Sequence, residues 1–353
     1  MKVLLLGMNY ASTINSTIIG LKQQGIEAES ISFEIYRSQY NNFSEIDCVF
    51  ENGKKKFSKL EFLKSILKLI NKIKTSDVVH VYSDFKTPSR FHKQIEYFLF
   101  KVIGKNKKKF ITFVGSEVRI PEIENTSNPF FKSAYDNPNY EYKDIESETQ
   151  SKKIQKRFNK LGFKLICPPD IIKFIDINLY HKNHIVLHPA IVSKNSLNKS
   201  EINQLIHFVH APSAPIAKGT EYILKTVEKL KENNFKFKFS LLSGLSNEEY
   251  LEELSNSDIY IDQLIWGWYG VAAIQALGMK KPVIAYLDES LLDYTPNNPI
   301  INSTIDNLYE IMSELILNPE KVNILKNESE QFYLNNHHPK SVANNLYSIY
   351  NSK

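Results

Sequence analysis

Residues 257–286 read SDIYIDQLIWGWYGVAAIQALGMKKPVIAY. Within them, Ile259–Ile261 predicts a short buried strand, Val271–Met279 an apolar helix and Pro282–Tyr286 a second strand. Strands that are joined by a crossover helix run parallel in one sheet. The stretch therefore predicts an α/β fold whose ligands bind at the carboxyl ends of the strands.

The same alternation of strands and helices extends to both sides of this stretch. The further predicted strands are Val3–Leu6, Ile26–Phe33, Val78–Tyr82, Phe110–Val114, Phe163–Cys167, Ile185–Leu187, Leu205–Val209 and Phe235–Leu242. The further predicted helices are Thr13–Gln24, Phe57–Lys74, Ile171–Ile175, Glu221–Leu230 and Tyr250–Leu254. A polar stretch without apolar periodicity, residues 193–200, is predicted to link two domains. We therefore predict two Rossmann-like domains facing a cleft, residues 1–192 and 193–330, followed by a C-terminal segment, residues 331–353.

The composition indicates a cytoplasmic protein. The two cysteines, Cys48 and Cys167, are too few for a disulfide framework or a cysteine-rich zinc site. The apolar start passes directly into a polar turn, without the basic lead and cleavage site of a signal peptide. No apolar run approaches the roughly 18 residues that cross a bilayer. We therefore expect a protein of the cytoplasm.

Lysines cluster in the first half of the chain, at residues 54–56, 105–109 and 152–160. A basic face suits an anionic partner such as phospholipid headgroups or a lipid-pyrophosphate acceptor. The alternative is an ordinary solvated surface, because the net charge is only +5. Peripheral attachment to the inner face of a membrane is thus one expectation, and no nucleic-acid partner is expected.

Most common catalytic motifs are missing from the chain. It contains no Asp-x-Asp triplet, which would form the usual carboxylate cradle for a nucleotide-bound divalent cation. Two histidine pairs are spaced three residues apart, His181 with His184 and His207 with His210, but no cysteine or carboxylate accompanies them at ligand spacing. No phosphate-binding Gly-x-x-x-x-Gly-Lys loop and no Gly-x-Ser-x-Gly elbow is present. We therefore expect neither a metal site nor a bound cofactor.

Two predicted helix starts carry residues suited to a diphosphate. Lys218-Gly219-Thr220 opens a helix after the strand that ends near His210, and phosphate sites are built from a lysine and backbone N–H groups at a helix start. Residues 267–270, Gly-Trp-Tyr-Gly, open another helix, where glycines permit close backbone approach and the aromatic rings suit a sugar or base. Neither stretch is specific on its own, because an ordinary loop can carry the same residues. Together, on successive units of one sheet, they predict a donor site.

Several stretches in this order resemble retaining glycosyltransferases with the GT-B fold, in particular bacterial family-four enzymes. They are His210-Ala211-Pro212-Ser213, Lys218-Gly219-Thr220, residues 257–263 (SDIYIDQ) and residues 267–284, from Gly-Trp-Tyr-Gly to Lys-Pro-Val-Ile. In the first half, Gly115-Ser116-Glu117-Val118-Arg119 is similar to a Gly-Ser-Asp-Val-Arg stretch of that family. The tail at His338-Pro339 resembles the family's terminal segment, whose helix crosses back to the first domain.

The resemblance implies that the second domain binds a nucleotide-sugar, a UDP-sugar more than a GDP-sugar, as co-substrate and that the first domain holds the acceptor. Lys218 would neutralise the diphosphate, with N–H groups from the helix that begins at Gly270. The implied donor-binding residues are His210, Ser213, Lys218, Gly219, Ser243, Gly244, Gln263, Gly267, Trp268, Tyr269, Gly270 and Gln275. The implied acceptor-side residues are Asn9, Tyr10, Gly115 and Ser116, and the candidate catalytic residues are Lys218, Glu117 and Arg119. We expect Glu117 and Arg119 to line the cleft opposite the nucleotide, the alternative being a structural ion pair.

The chain departs from the family pattern at the residues that would carry its acids. Of a pair of glutamates separated by seven residues, the first falls on Gly267 and the second on Gln275. Gln275 can still accept a hydrogen bond from a ribose hydroxyl, whereas glycine cannot replace a carboxylate. A histidine that often precedes the Gly-Ser pair is Val114 here, and the arginine that precedes the lysine has no counterpart. Donor binding is therefore better supported than turnover.

Three functions fit these observations. The favoured one is metal-independent glycosyl transfer with retention, to a glycan, a lipid-linked sugar or a protein. The second is a catalytically weak nucleotide-sugar binder that acts as partner of another transferase, which the glycine at position 267 favours. The third is a sugar-nucleotide epimerase on the same fold.

Overall fold

A computed structural model describes residues 1–7, 9–32, 59–84, 91–192 and 205–352, together with the strand residues 46–47, 50–51 and 54–55. The predicted linker at residues 193–200 and Cys48 lie outside the described residues. The lysine cluster at residues 54–56 lies outside those whose side chains are described.

The described part of the chain alternates strands and helices along most of its length. The strands are β1 (Lys2–Gly7), β2 (Glu27–Ile31), β3 (Ile46–Asp47), β4 (Phe50–Glu51), β5 (Lys54–Lys55), β6 (Val78–Tyr82), β7 (Lys108–Thr112), β8 (Lys164–Cys167), β9 (Asn183–Ile185), β10 (His207–His210), β11 (Lys238–Leu241), β12 (Ile259–Ile261), β13 (Val283–Ala285) and β14 (Ile301–Asn302). The α-helices are α1 (Thr13–Gln23), α2 (Lys59–Thr75), α3 (His92–Tyr97), α4 (Pro121–Ser127), α5 (Phe131–Tyr135), α6 (Glu148–Leu161), α7 (Pro215–Lys218), α8 (Thr220–Glu232), α9 (Asn247–Ser255), α10 (Val271–Gly278), α11 (Leu308–Leu317), α12 (Pro319–Asn336) and α13 (Pro339–Asn351). A π-helix, Phe98–Ile103, continues α3, and the 3₁₀ helices are Tyr10–Ser12, Pro169–Phe174 and Glu289–Tyr294.

These elements form two compact units. The first unit comprises Met1–Ile120, Ile145–Pro189 and Pro339–Lys353, and the second comprises Pro121–Asp144 and Ala190–His338. Each unit contains one parallel sheet with surrounding helices, as the alternating sequence pattern predicts. The ranges differ from the predicted domains at residues 121–144, 190–192 and 331–338, all of which belong to the second unit.

The sheet of the first unit has seven parallel strands in the order β3-β2-β1-β6-β7-β8-β9. Its central strands are apolar on both faces, because helices cover both sides of such a sheet; Val3 to Leu6 of β1 are fully buried. The last helix, α13, packs against α1. A Cβ on Gly20 of α1 would lie 2.0 Å from the Pro339 carbonyl oxygen, so only glycine permits this approach.

The sheet of the second unit has five parallel strands in the order β11-β10-β12-β13-β14. The predicted inward face of α8 is confirmed, since Ile223, Val227 and Leu230 are buried at helical spacing. They pack in one core with Phe208 of β10 and Met312 of α11. The strand order reverses between β10 and β12, and this places the carboxyl ends of these two strands at the edge where ligands bind in such sheets.

Residues 121–144 join the second unit through aromatic and polar contacts. Phe131 and Tyr140 are buried in a cluster with Ala217 and Ile265. The Glu141 carboxylate accepts hydrogen bonds from the backbone N–H groups of residues 216 and 217, at 2.8 and 3.1 Å. These contacts link positions more than 70 residues apart, so the local sequence pattern could not reveal them.

The orientation of α2 differs from the prediction. The sequence interpretation placed Leu60, Leu63, Leu67 and Ile70 on one face of the helix with the lysines opposite, and the side chain of Leu60 lies outside those described. In the structure Leu63 and Leu67 are 54% and 56% exposed, whereas Leu69 and Ile73 are fully buried. The predicted face is wrong because α2 carries apolar residues on more than one side, and periodicity alone does not select among them.

The lysine run at residues 105–109 does not form one solvated face. Lys109 is buried, and its Nζ donates hydrogen bonds to the carbonyl oxygens of Phe100 and Leu161, at 2.8 and 2.9 Å. The ammonium of Lys107 donates to the Lys74 carbonyl at 2.7 Å. In this run, Lys107, Lys108 and Lys109 therefore donate to backbone carbonyl groups of the first unit. None of the helices in the described ranges is long and apolar enough to span a bilayer.

Candidate functional site

The two predicted phosphate-binding stretches follow β10 and β12, at the point where the strand order of the second sheet reverses. The loop after β10 leads to Lys218 at the end of α7, and the loop after β12 leads to Gly270 at the beginning of α10. Both loops leave the carboxyl edge of a parallel sheet at neighbouring strands. Open α/β sheets bind ligands at this position.

A buried ion pair connects the two loops. The Lys218 Nζ lies 2.7 Å from Oδ1 of Asp262, the residue that follows β12, and the side chains are 9% and 0% exposed. Oδ2 of Asp262 accepts a hydrogen bond from the Gly270 N–H at 2.7 Å. One carboxylate thus holds the lysine of the first stretch and the helix start of the second. The sequence interpretation missed Asp262, although a charged residue directly after the apolar strand Ile259–Ile261 was a visible signal.

The backbone beside Lys218 explains the Lys-Gly pair. The Lys218 carbonyl accepts a hydrogen bond from the Leu264 N–H at 3.0 Å. Gly219 has a φ of +78°, a left-handed conformation that glycine adopts without steric cost. A Cβ at this position would lie 3.1 Å from Cγ1 of Ile265. The glycine therefore lets the chain turn while it packs closely against the loop after β12.

His210 is a buried, neutral residue beside this ion pair. Its Nδ1 lies 2.8 Å from the Ile261 carbonyl oxygen and its Nε2 lies 2.9 Å from the Thr220 hydroxyl. Since a carbonyl only accepts, Nδ1 carries the proton and Nε2 accepts from the hydroxyl. Burial lowers the pKa of His210 to about 4. The ring joins β10, β12 and α8, and its contact with a donor stays a prediction.

The Gly-Trp-Tyr-Gly stretch packs inside the second unit. The rings of Trp268 and Tyr269 are stacked with centroids 4.7 Å apart, and both residues are buried. The Tyr269 hydroxyl lies 2.9 Å from Nε2 of His337. A Cβ on Gly267 would lie 2.8 Å from the Asp288 Cβ, so the backbone there has no room for a larger residue. The predicted wall of aromatic rings around a sugar or base stays a prediction.

The remaining predicted donor residues differ in exposure. Ser213, Ser243 and Gly244 are exposed, and Gln275 is half-buried on α10. Gln263 is buried, and its side-chain amide donates to the Trp268 carbonyl oxygen. The structure therefore gives Gln263 a role in shaping the loop after β12. The ribose contact of Gln275 stays a prediction.

In the first unit, Glu117 closes the turn that follows β7. Val118 N–H and Arg119 N–H donate to the Gly115 carbonyl at 3.1 and 3.2 Å, and these bonds form the turn through Ser116. Oε1 of Glu117 accepts the Val114 N–H at 2.8 Å. Burial raises the pKa of the Glu117 carboxyl, against the opposing effect of the hydrogen bond from the Val114 N–H. Its proposed catalytic role stays a prediction.

Arg119 lies in a buried cluster of charges. Its guanidinium nitrogens lie 3.6 Å from Oε1 of Glu146 and 4.0 Å from Oδ2 of Asp170, and the guanidinium carbon lies 5.9 Å from the centre of the Phe174 ring. The arginine side chain is 5% exposed and that of Glu146 is 0% exposed. These are the ion pairs that the structural alternative expected, and a contact with an acceptor stays a prediction.

The predicted acceptor residues after β1 begin the first helix. Oδ1 of Asn9 accepts the Asn15 N–H at 3.1 Å, at the first turn of α1. Tyr10 is 40% exposed at the same carboxyl edge of the sheet. Asn9 therefore has a capping role, while Tyr10 is accessible. Throughout the described ranges, no group of three or more His, Cys, Asp or Glu side chains could hold a metal ion.

The fold of the whole chain is found in solved glycosyltransferase structures. HepE of Anabaena, solved with UDP and glucose, is 11% identical, with a TM-score of 0.63 and coverage of 100% of both chains. Sucrose-phosphate synthase from Thermosynechococcus elongatus is 9% identical, with a TM-score of 0.62 and coverage of 99% of this chain and 98% of the other. WaaG, a glycosyltransferase of lipopolysaccharide biosynthesis, is 10% identical, with a TM-score of 0.57 and coverage of 99% and 100%. The chain has the GT-B fold.

The GT-B similarity lies in the fold, since the sequences share about a tenth of their residues. No protein-family model matches the chain, and no curated protein matches it by sequence. The predicted fold class is confirmed. The GT-B fold alone does not specify which residues of this chain bind ligands.

Proposed function

We propose that the chain transfers a glycosyl group from a nucleotide-sugar to an acceptor hydroxyl. The observation that carries this proposal is the position of Lys218, an ammonium at the strand-order reversal of the second sheet, next to the beginning of α10. In the described structure this ammonium makes one hydrogen bond, to Asp262, so two of its N–H bonds are left for diphosphate oxygens. The GT-B fold supports the same function.

The chemistry needs stabilisation of negative charge on the leaving group. The bond between the anomeric carbon and the phosphate oxygen breaks, the acceptor oxygen bonds to that carbon, and the departing diphosphate takes the acceptor's proton. Fixed positive charge and N–H dipoles that face the leaving oxygen lower the barrier to this step. Lys218 and the first turn of α10 supply them in this proposal. Such a site needs no protein nucleophile, which suits transfer with retention.

The donor is proposed to be a UDP-sugar, by analogy with HepE, whose structures contain UDP or UDP-glucose. Transfer is proposed to be independent of divalent cations, because Lys218 and helix N–H groups balance the diphosphate charge. Excess chelator should leave the rate unchanged. Loss of activity with chelator and recovery with magnesium or manganese would contradict the proposed site.

The direct test is a thermal-shift panel of nucleoside mono- and diphosphates and nucleotide-sugars. A ligand that binds only the folded state raises the unfolding midpoint as its concentration exceeds its Kd. We expect UDP and UDP-sugars to raise the midpoint most. Incubation of the protein with a UDP-sugar in the absence of acceptor, followed by analysis of the products, then separates the functions. Slow hydrolysis to UDP and free sugar indicates a transferase. A UDP-sugar with a changed sugar indicates an epimerase, and an intact UDP-sugar indicates a binding partner. A panel in which no nucleotide shifts the midpoint would contradict the proposed function.

The acceptor is proposed to lie at an anionic membrane surface, since α2 exposes leucines beside lysines. Leu63 and Leu67 are more than half exposed, and they lie next to the exposed Lys64 and Lys68. Each lysine close to an anionic surface contributes about 1 kcal/mol, and this attraction is screened by salt. Co-sedimentation with anionic vesicles should therefore fall at high salt, and Leu63→Ser with Leu67→Ser should weaken it further. Equal recovery with neutral and anionic vesicles would contradict this proposal.

A further inference from the structure

Two aspartates flank β12 with the same arrangement of partners. Asp258 precedes the strand, pairs with Lys326 at 3.1 Å and accepts the His207 N–H at 3.1 Å. Asp262 follows the strand, pairs with Lys218 at 2.7 Å and accepts the Gly270 N–H at 2.7 Å. The two aspartates lie at opposite ends of β12. Their positions are four residues apart, which is roughly 13 Å at about 3.3 Å per residue. Only Asp262 lies at the carboxyl edge, where the donor site is proposed.

Stability alone does not explain a carboxylate at position 262. The side chain is fully buried and directly follows three apolar residues, Ile259–Ile261. Burial of an ion pair costs desolvation of both charges, and well-packed apolar residues of similar volume are often equally stable. An apolar residue would also continue the strand pattern. The contacts that the carboxylate makes are therefore the better explanation for its presence.

We propose that Asp262 is a positioning residue of the donor site, whose carboxylate holds the Lys218 ammonium and the beginning of α10 so that both face one diphosphate. This inference rests on the proposed function. A free lysine side chain loses much conformational freedom when it binds an anion. Asp262 fixes Lys218 beforehand and so removes part of this cost. Its contribution concerns the β-phosphate of the donor and not the base or the ribose.

The test compares the affinities of UDP and UMP for the full chain by calorimetry. The proposal predicts that wild-type protein binds UDP at least about 10-fold more tightly than UMP, since a charge-assisted contact is worth one to two orders of magnitude. Asp262→Asn should lower the UDP:UMP affinity ratio about 10-fold. An amide has only one acceptor oxygen, so its NH₂ group would face either the Lys218 ammonium or the Gly270 N–H, and neither of these can accept a hydrogen bond. UMP affinity should stay within about 2-fold of wild type.

The matched control is Asp258→Asn, which breaks the equivalent ion pair at the other end of β12. It should lower the unfolding midpoint and leave the UDP:UMP ratio within about 2-fold of wild type, because Lys326 lies outside the proposed donor site. In a Lys218→Met background, Asp262→Asn should have no further effect on the ratio, because the amide oxygen can still accept the Gly270 N–H and there is no ammonium left to position. This result is expected of a residue that acts through Lys218 and not of a general structural residue.

The outcomes separate the inference from the proposed function. If wild-type protein binds no nucleoside diphosphate, the proposed function and the inference both fail. If wild-type protein prefers UDP but Asp262→Asn keeps the wild-type ratio, or loses UDP and UMP equally, only the inference fails. Asp262→Glu, which keeps the charge and displaces it by one CH₂ group, replaces Asp262→Asn if that variant does not fold. It should show a reduced ratio, and an unchanged ratio would overturn the inference.

Discussion

Replacement of Lys218 by alanine is expected to weaken the proposed donor binding and to lower the stability of the second unit. The substitution removes the ammonium that is proposed to bind the diphosphate. It also leaves the Asp262 carboxylate, which is fully buried, with the Gly270 N–H but without its cation at 2.7 Å. From the sequence alone only the first effect was expected, because Asp262 was not identified. The structure therefore predicts two measurable losses from one substitution.

The two losses have different magnitudes. A charge-assisted contact with the diphosphate is worth about 1.5–3 kcal/mol, which is one to two orders of magnitude in affinity. Removal of one partner of a buried ion pair costs about 3–5 kcal/mol of unfolding free energy, because the other charge is left uncompensated. Gln275→Ala removes only a contact with a neutral ribose hydroxyl and should weaken the donor by about 0.5–1.5 kcal/mol. Lys218 should be the more costly loss for donor binding.

The assay combines calorimetric binding of UDP, turnover, and calorimetric unfolding, which resolves transitions of separate units. Lys218→Ala with Asp262→Asn should regain much of the lost stability and none of the donor affinity, because it removes the unpaired charge but supplies no cation. Lys225→Ala is the control, since that lysine pairs with Glu221 on the exposed side of α8. If Lys218→Ala binds donor and turns over like wild type, the diphosphate site lies elsewhere. An unchanged unfolding transition would contradict the buried ion pair.

Two further predictions concern the folded state. Gly267→Glu, which restores the carboxylate of the family pattern, should destabilise the protein by about 1–3 kcal/mol, because its Cβ would lie 2.8 Å from that of Asp288; a variant as stable as wild type would contradict this. Burial lowers the pKa of His80 to about 3 and those of His188 and His210 to about 4, so below about pH 6.5 the unfolded chain binds protons that the folded chain does not. The contribution of these histidines to the free energy of unfolding is therefore complete above about pH 6.5 and is lost as the pH falls. The loss at pH 5 should be about 2 kcal/mol per histidine. Unfolding midpoints at pH 7 and pH 5 measure this loss, and equal midpoints would refute it.

The sequence by itself determined the local elements and the fold class. The bounds of Val78–Tyr82 and Ile259–Ile261 are the same in prediction and structure, and α1 ends one residue before its predicted end at Gln24. These elements are local, because apolar runs and helical spacing lie within about ten residues of each other. The order of the motifs around Lys218 and Gly270 also indicated the GT-B fold. Alternating elements predict parallel sheets wherever such a pattern continues.

Only the tertiary structure decided which side chains meet. Asp262 and Lys218 are 44 residues apart, and their ion pair depends on the pairing of β10 with β12. The assignment of residues 121–144 to the second unit, the buried position of Lys109 and the exposure of Leu67 likewise depend on packing. A lysine or leucine is compatible with either environment in the sequence, and the environment is chosen by strand order and by the helix face that the sheet covers. For this reason the sequence predicted where a diphosphate site begins, and the fold alone identified the carboxylate that holds its lysine.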